Sequence, residues 1–287
     1  MPELIKAMEL VQWIREEPAD KAGTIAYYAR QFTDPSILPL APKDAKNAVK
    51  VSADNPIRTF SINSPEGLPS GCMARKTLSY LTTLAVRYKT PKTITASRRQ
   101  LYSSVTGQAP NGQQQLKAFI QIFIQTITAD LYIKEVRTDE NEAFELRARA
   151  VLSDLSIFSS DSKVTFELSD SFIKLMGLIK PHPVDARALQ FLWHNRSPIG
   201  IDLYCWVAYR APSVSYSKPL FLNWEQLQLI FPNEWKRVNR PSVFNNRLKN
   251  AIKLVKICYP KLNISVSNDG VLIHKSASSV PKVRESS

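Results

Sequence analysis

Between Ser242 and Tyr259 two chemistries share one helical cylinder. Phe244, Leu248, Ala251, Ile252, Val255 and Tyr259 recur at spacings of three and four and fall on one face, while Asn246, Lys249, Asn250, Lys253 and Lys256 fall on the opposite one. Such a helix persists only with its apolar face pressed on a core, which turns the basic face outward. Strands at Ile264–Val266 and Val271–His274 follow, joined by Asn268-Asp269-Gly270, residue types that accept the positive φ of a tight hairpin turn.

The formal net charge of +13 over 287 residues points to a polyanionic partner, nucleic acid or an anionic membrane. Its distribution says more than its size. Residues 236–287 hold eleven Lys and Arg against two Asp and Glu, and residues 67–150 hold twelve against six, whereas 1–66 and 151–235 each carry a net −1. Lys236, Arg237, Arg240, Arg247, Lys249, Lys253, Lys256 and Lys261 follow one another without an acidic residue between them. A surface built for solubility mixes the two signs. Lysines suit phosphate oxygens, and asparagines bond adenine at two points in the major groove. The expected contact set is therefore Asn246, Lys249, Asn250, Lys253 and Lys256, with Arg240 and Arg247 on its flanks and Lys236 and Arg237 in the same block.

Upstream, Leu4, Met8, Val11 and Ile14 mark an amphipathic helix over 3–17 with mixed charges, and the six prolines between Thr33 and Ser70 mark a linker broken only by a short strand at Arg58–Ile62. A helix over 72–88, a strand at Lys92–Thr95, a helix from its N-cap Ser97 to Val105, a helix over 113–128 and a hairpin of Leu131–Arg137 with Phe144–Phe158 around the charged turn Thr138–Glu142 come next. That is the order of a winged helix. The glutamines Gln114, Gln121 and Gln125 with Lys117 front the 113–128 helix; they can read base edges, and a merely solvated polar face accounts for them equally well. Arg75, Lys76, Arg87, Lys89, Lys92, Arg98 and Arg99 would supply a positive field around it.

The order returns after Ser162, with a strand at Lys163–Leu168, helices from Ser169 to about Leu178, over Asp185–His194 and over Ile199–Tyr209, a strand at Pro219–Leu222, and a helix Trp224–Ile230 ended by Pro232. Trp193, Tyr204, Trp206, Tyr209 and Trp224 are assigned to its core. The expected fold class is α+β: two tandem winged-helix domains with short β-hairpin wings, preceded by an N-terminal helix and a Pro-containing linker. The segments are 1–56 (helix and linker), 57–160 and 161–276 (the two winged helices) and 277–287 (a disordered tail).

Catalysis finds no support in motifs, since the chain has no GxxxxGK[ST], HExxH or GxSxG. His182, His194 and His274 make no close metal pair, and Cys72, Cys205 and Cys258, odd in number and far apart, suit a reducing cytoplasm better than a disulfide framework. No apolar run reaches 18 residues, and Glu3, Lys6, Glu9 and Arg15 break any signal-peptide core. The expectation is a bacterial cytoplasmic protein without catalytic residues, metal, cofactor or membrane.

The segment Ile199-Gly-Ile-Asp202-Leu-Tyr204-Cys-Trp206-Val-Ala-Tyr209-Arg210, followed by Phe221-Leu-Asn-Trp224-Glu-Gln-Leu227, resembles the RepA family of plasmid-encoded replication proteins. Leu78-Ser-Tyr-Leu81-Thr-Thr-Leu-Ala85-Val-Arg87-Tyr-Lys89, Phe166-Glu-Leu168-Ser169 with Phe172, and Tyr259-Pro260 extend the likeness over roughly 57–276. The resemblance implies binding of double-stranded DNA at plasmid origin repeats, control of plasmid copy number, and recruitment of a host initiator and a replicative helicase. A homodimer is left open. The turn Gly107-Gln-Ala-Pro-Asn-Gly112 departs from the Gly with Arg or Lys of the family. Two rivals stand beside this reading, a winged-helix repressor of its own gene and a nicking nuclease using a tyrosine.

Overall fold

The computed structural model describes residues 2–34, 36, 38–41, 50–54, 58–137, 142–149, 156–157 and 163–281. In chain order the elements are α1 (Pro2–Glu16), β1 (Ile25–Tyr28), β2 (Lys50–Asp54), β3 (Arg58–Asn63), α2 (Gly71–Tyr88), β4 (Thr93–Ser97), α3 (Arg98–Thr106), α4 (Gln113–Ile127), β5 (Asp130–Arg137), β6 (Glu142–Arg149), β7 (Ser156–Ile157), β8 (Lys163–Glu167), α5 (Asp170–Ile179), β9 (His182–Asp185), α6 (Ala186–His194), α7 (Pro198–Arg210), β10 (Leu220–Asn223), α8 (Trp224–Ile230), α9 (Pro232–Val238), α10 (Pro241–Cys258), β11 (Ile264–Val266) and β12 (Gly270–Ile273). The architecture is mixed, rich in helix, with small antiparallel sheets. It divides into two compact units, Pro35–Pro181, and Met1–Asp34 together with His182–Ser287.

In the 35–181 unit the apolar positions of α4 do what their spacing predicts. Leu116, Phe119, Phe123 and Ile127 are buried, with Phe119 edge-on to Tyr102 of α3 at 5.3 Å and Phe123 edge-on to Phe166 of β8 at 5.4 Å. Ser97 caps α3 in a reciprocal box with Gln100, and Gly107 ends it at φ 75°, so both ends of this short helix are satisfied locally. Two expectations change here. The 33–70 stretch is more than a linker, because β2 and β3 extend the β5–β6 hairpin into a sheet of order β2-β3-β5-β6, with Ile62 opposite Leu131. And β8 does not open the second repeat; it pairs with β4, Ile94 opposite Phe166, and delivers Phe166 to this core. Much of the charged turn, 138–141, and much of the strand placed at Phe144–Phe158 lie outside the described residues.

In the other unit α1 is tied to α6 by Arg187, whose guanidinium is buried, pairs with Asp185 at 2.8 Å, and donates to the carbonyls of Trp13 (3.1 Å) and Glu17 (2.8 Å). Asp185 also caps α6 and, on β9, lies opposite Ile25 of β1. The N-terminal helix thus belongs to the C-terminal unit, not to a separate 1–56 segment, because a buried guanidinium takes the last carbonyls of α1 as its acceptors. Helix α7 is enclosed from Gly200 to Ala208, and the buried faces of α6 and α10 contribute to the same core. Pro232 does not simply end a helix; it stands at the first position of α9, where its missing N–H has no acceptor to lose. The final sheet has the order β10-β12-β11, with Leu220 and Ile264 both opposite Ile273. Gly270 is required there, since a Cβ would stand 2.1 Å from the Leu222 carbonyl oxygen.

Candidate nucleic-acid interface

Helix α10 is oriented as its periodicity predicts. Phe244, Leu248, Ala251, Ile252 and Val255 are buried, and Asn246, Asn250, Lys253 and Lys256 are exposed. Among the described residues, no partner engages the side chains of Asn246, Asn250 or Lys253, so these groups face solvent with their hydrogen-bonding capacity unspent. Lys256 reaches the Ile264 carbonyl at 3.5 Å, a long contact for a flexible amine. Lys236, Arg237 and Arg240 are exposed just before the helix.

Two members of the expected set are held by the fold. Arg247 is partly covered and its Nη1 lies 2.6 Å from Oε1 of Glu234 on α9, whose carboxylate is buried. Its charge is therefore committed to Glu234, a residue two positions before the acid-free block. Lys249 is half-buried, with Nζ 5.4 Å from the centroid of the Trp224 ring. That indole in turn donates its N–H to the Asn268 carbonyl at 2.7 Å, in the turn between β11 and β12. Trp224 is accordingly half-exposed and bridges the front of α10 to the hairpin, whereas Tyr204 and Trp206 are buried as expected. A tryptophan opening a helix gives no sequence signal that separates these roles.

In the 35–181 unit the expected positive field is thinner than the sequence suggests. Arg75 is fully buried and donates to the carbonyls of Leu38, Pro39 and Gly71 at 2.8–3.0 Å. Lys76 is buried against the Thr106 carbonyl at 2.6 Å, and burial pulls its amine down from 10.5 to about 7. Neither can sit on phosphate, because both point into the core, where backbone carbonyls replace water. Gln125 also leaves the reading set, since its amide donates to the Glu66 carbonyl at 2.9 Å. Gln114, Lys117 and Gln121 on α4 and Arg99 at the start of α3 are exposed, and Arg98 is half-buried with its Nε enclosed and unpartnered.

Among the described residues no group of three His, Cys, Asp or Glu is placed to hold a metal ion. No helix among them is long and apolar enough to cross a membrane. The three cysteines form no disulfide. His182 donates through Nε2 to the Cys205 carbonyl at 2.8 Å, and desolvation lowers its pKa from 6.5 to about 4, so the ring is a neutral structural donor.

The backbone has known counterparts. Its fold is similar to domains 2 and 3 of RctB. One crystal structure, of selenomethionine derivatives of those two domains, matches at a TM-score of 0.53 and 13% identity, covering 86% of this chain and 99% of that one. A second, also of RctB domains 2–3, matches at a TM-score of 0.52 and 12% identity, covering 85% and 96%. At this identity the likeness is one of fold. No family model matches the sequence, and neither does any curated protein.

Proposed function

We propose that this chain is a sequence-specific, non-catalytic double-stranded DNA-binding protein that initiates plasmid replication in the manner of RepA-type initiators. The observation that carries the reading is the exposed face of α10, where Asn246, Asn250 and Lys253 stand free of internal partners and Lys256, Lys236, Arg237 and Arg240 are exposed beside them. The similarity of its fold to that of domains 2 and 3 of RctB is compatible with this reading.

The order α7, β10, α8 with α9, α10, β11, β12 and the sheet order β10-β12-β11 support a winged-helix reading of the C-terminal unit, with α10 entering the major groove. In the 35–181 unit the order α2, β4, α3, α4, β5, β6 supports the same reading, although β4 pairs with β8 and not with the β5–β6 hairpin. Lysines anchor on phosphates, Asn246 and Asn250 read base edges, and Gln114, Lys117 and Gln121 with Arg99 form a weaker second contact. A host initiator, a replicative helicase and a second copy of the chain are the partners of this reading.

The test begins with selection of bound duplexes from a random pool. Asn246→Ala should then cost about 1–3 kcal/mol on the selected site and relax preference at one base pair, with no change on scrambled duplex. Supercoiled plasmid carrying the site in repeats should become reactive to single-strand probes when the protein is added. Binding without opening would favour the repressor, relaxed circles in the presence of a divalent metal would favour a nickase, and no duplex binding would overturn the reading.

A further inference from the structure

The 35–181 unit carries a second cationic surface that the α10 reading does not use. Where α2 ends, residues 87–92, Arg87-Tyr-Lys-Thr-Pro-Lys92, are all exposed. Tyr88 keeps 44% of its surface in solvent, and Lys92 Nζ stands 5.8 Å from its ring centroid. Lys89 closes the helix at φ 58°, a left-handed position where glycine is the residue without strain. The chain places a lysine there instead, exposed and next in sequence to Tyr88.

This turn is also set apart from the α3 and α4 surface. It precedes β4, and Arg98 and Arg99 follow β4, so the two groups of cations sit at opposite ends of a five-residue strand, on the order of 15 Å apart. A phenol ring among cations has a flat face to offer, and duplex DNA cannot use it, because paired bases are already stacked on both sides. An unpaired base can, and its flanking phosphates then fall within reach of Lys92 by the ring and of the exposed Lys89, the next residue along the chain.

We propose that the 87–92 turn is a binding site for single-stranded DNA, with Tyr88 stacking an unpaired base and Lys89 and Lys92 contacting the adjoining phosphates. The site is independent of α10 and does not rest on its assignment.

The test uses the full chain with labelled oligo-dT of twenty nucleotides and a blunt duplex, read by fluorescence anisotropy beside a thermal melt. Tyr88→Ala should weaken oligo-dT binding about tenfold, leave duplex affinity and melting temperature unchanged, and be rescued by Tyr88→Phe. Lys89→Ala with Lys92→Ala should weaken oligo-dT binding and reduce the steepness of its salt dependence by about 1.4 in log–log slope. Unchanged oligo-dT affinity in Tyr88→Ala, equal loss on duplex, or a Tyr88→Phe variant as weak as Tyr88→Ala would each overturn the proposal. Competition by polyglutamate as effective as that by oligo-dT would overturn it in favour of a charge-only surface for acidic segments. Wild-type protein that binds oligo-dT but no duplex would overturn the initiator reading and leave this one standing.

Discussion

Arg247 Nη1 and Glu234 Oε1 lie 2.6 Å apart, and the carboxylate, on a residue only 3% exposed, has this guanidinium as its counter-ion. The pair fastens α10 to α9. Removing the cation would strand a buried carboxylate, so Arg247→Met should destabilise the protein by about 2 kcal/mol, between the values for exposed and enclosed pairs. DNA affinity per folded molecule should hardly move. Urea melts and binding isotherms on the same samples check both, and an affinity loss with unchanged stability would place Arg247 on phosphate.

Trp224 makes two separable contacts, its indole N–H to the Asn268 carbonyl and its ring beneath Lys249. Trp224→Phe removes the first and keeps an aromatic surface for the second; Trp224→Leu removes both. The expected outcome is a loss of about 1 kcal/mol for Phe, seen as faster amide exchange in the 264–273 hairpin. Trp224→Leu should add a drop in duplex affinity, because Lys249 loses the surface that orients it. Equal DNA affinity for the two variants would show that the Lys249 contact does nothing in binding.

Lys76 links stability to alkaline pH. Its folded pKa, about 7, lies below the ordinary 10.5 because burial disfavours the ammonium. Between these values the unfolded chain binds the extra proton, so stability rises with pH from about 7 to about 10.5. Lys76→Met abolishes this contribution. The stability difference between the variant and wild type should therefore shrink steadily over that window in urea melts, and a constant difference would contradict a neutral buried amine.

His182 links stability to acid. Its folded pKa of about 4 lies below 6.5, so the unfolded chain again binds the extra proton, and stability is lost as pH falls from 6.5 towards 4. The Nε2–H donor to the Cys205 carbonyl can be imitated by a glutamine amide, which does not titrate. His182→Gln should flatten the acid limb of a melting-temperature profile while costing little at pH 7.

Six cations, Lys236, Arg237, Arg240, Lys249, Lys253 and Lys256, remain on or beside the front of α10 once Arg247 is set aside. If all meet phosphates, the log–log dependence of duplex affinity on salt has a slope of about −5, and Lys253→Ala lowers it by about 0.9. A slope near −1 in a titration from 50 to 200 mM salt would take this surface off the DNA backbone.

Local periodicity carried most of what could be read without coordinates. The two faces of α10, the buried side of α4 and the cap at Ser97 depend on residues a few positions apart, and each stands where spacing placed it. Long-range pairing was not legible. Nothing near β8 in sequence announces β4 as its partner, and nothing in α1 announces that its last carbonyls serve Arg187, a residue about 170 positions away. Charge was the most misleading local signal: Arg75, Lys76, Arg247 and the exposed Lys253 and Lys256 of α10 look alike in a sequence. Only the packed structure separates cations that backbone carbonyls or a buried carboxylate have already taken from cations still facing water, because desolvation is a property of the surroundings and not of the residue.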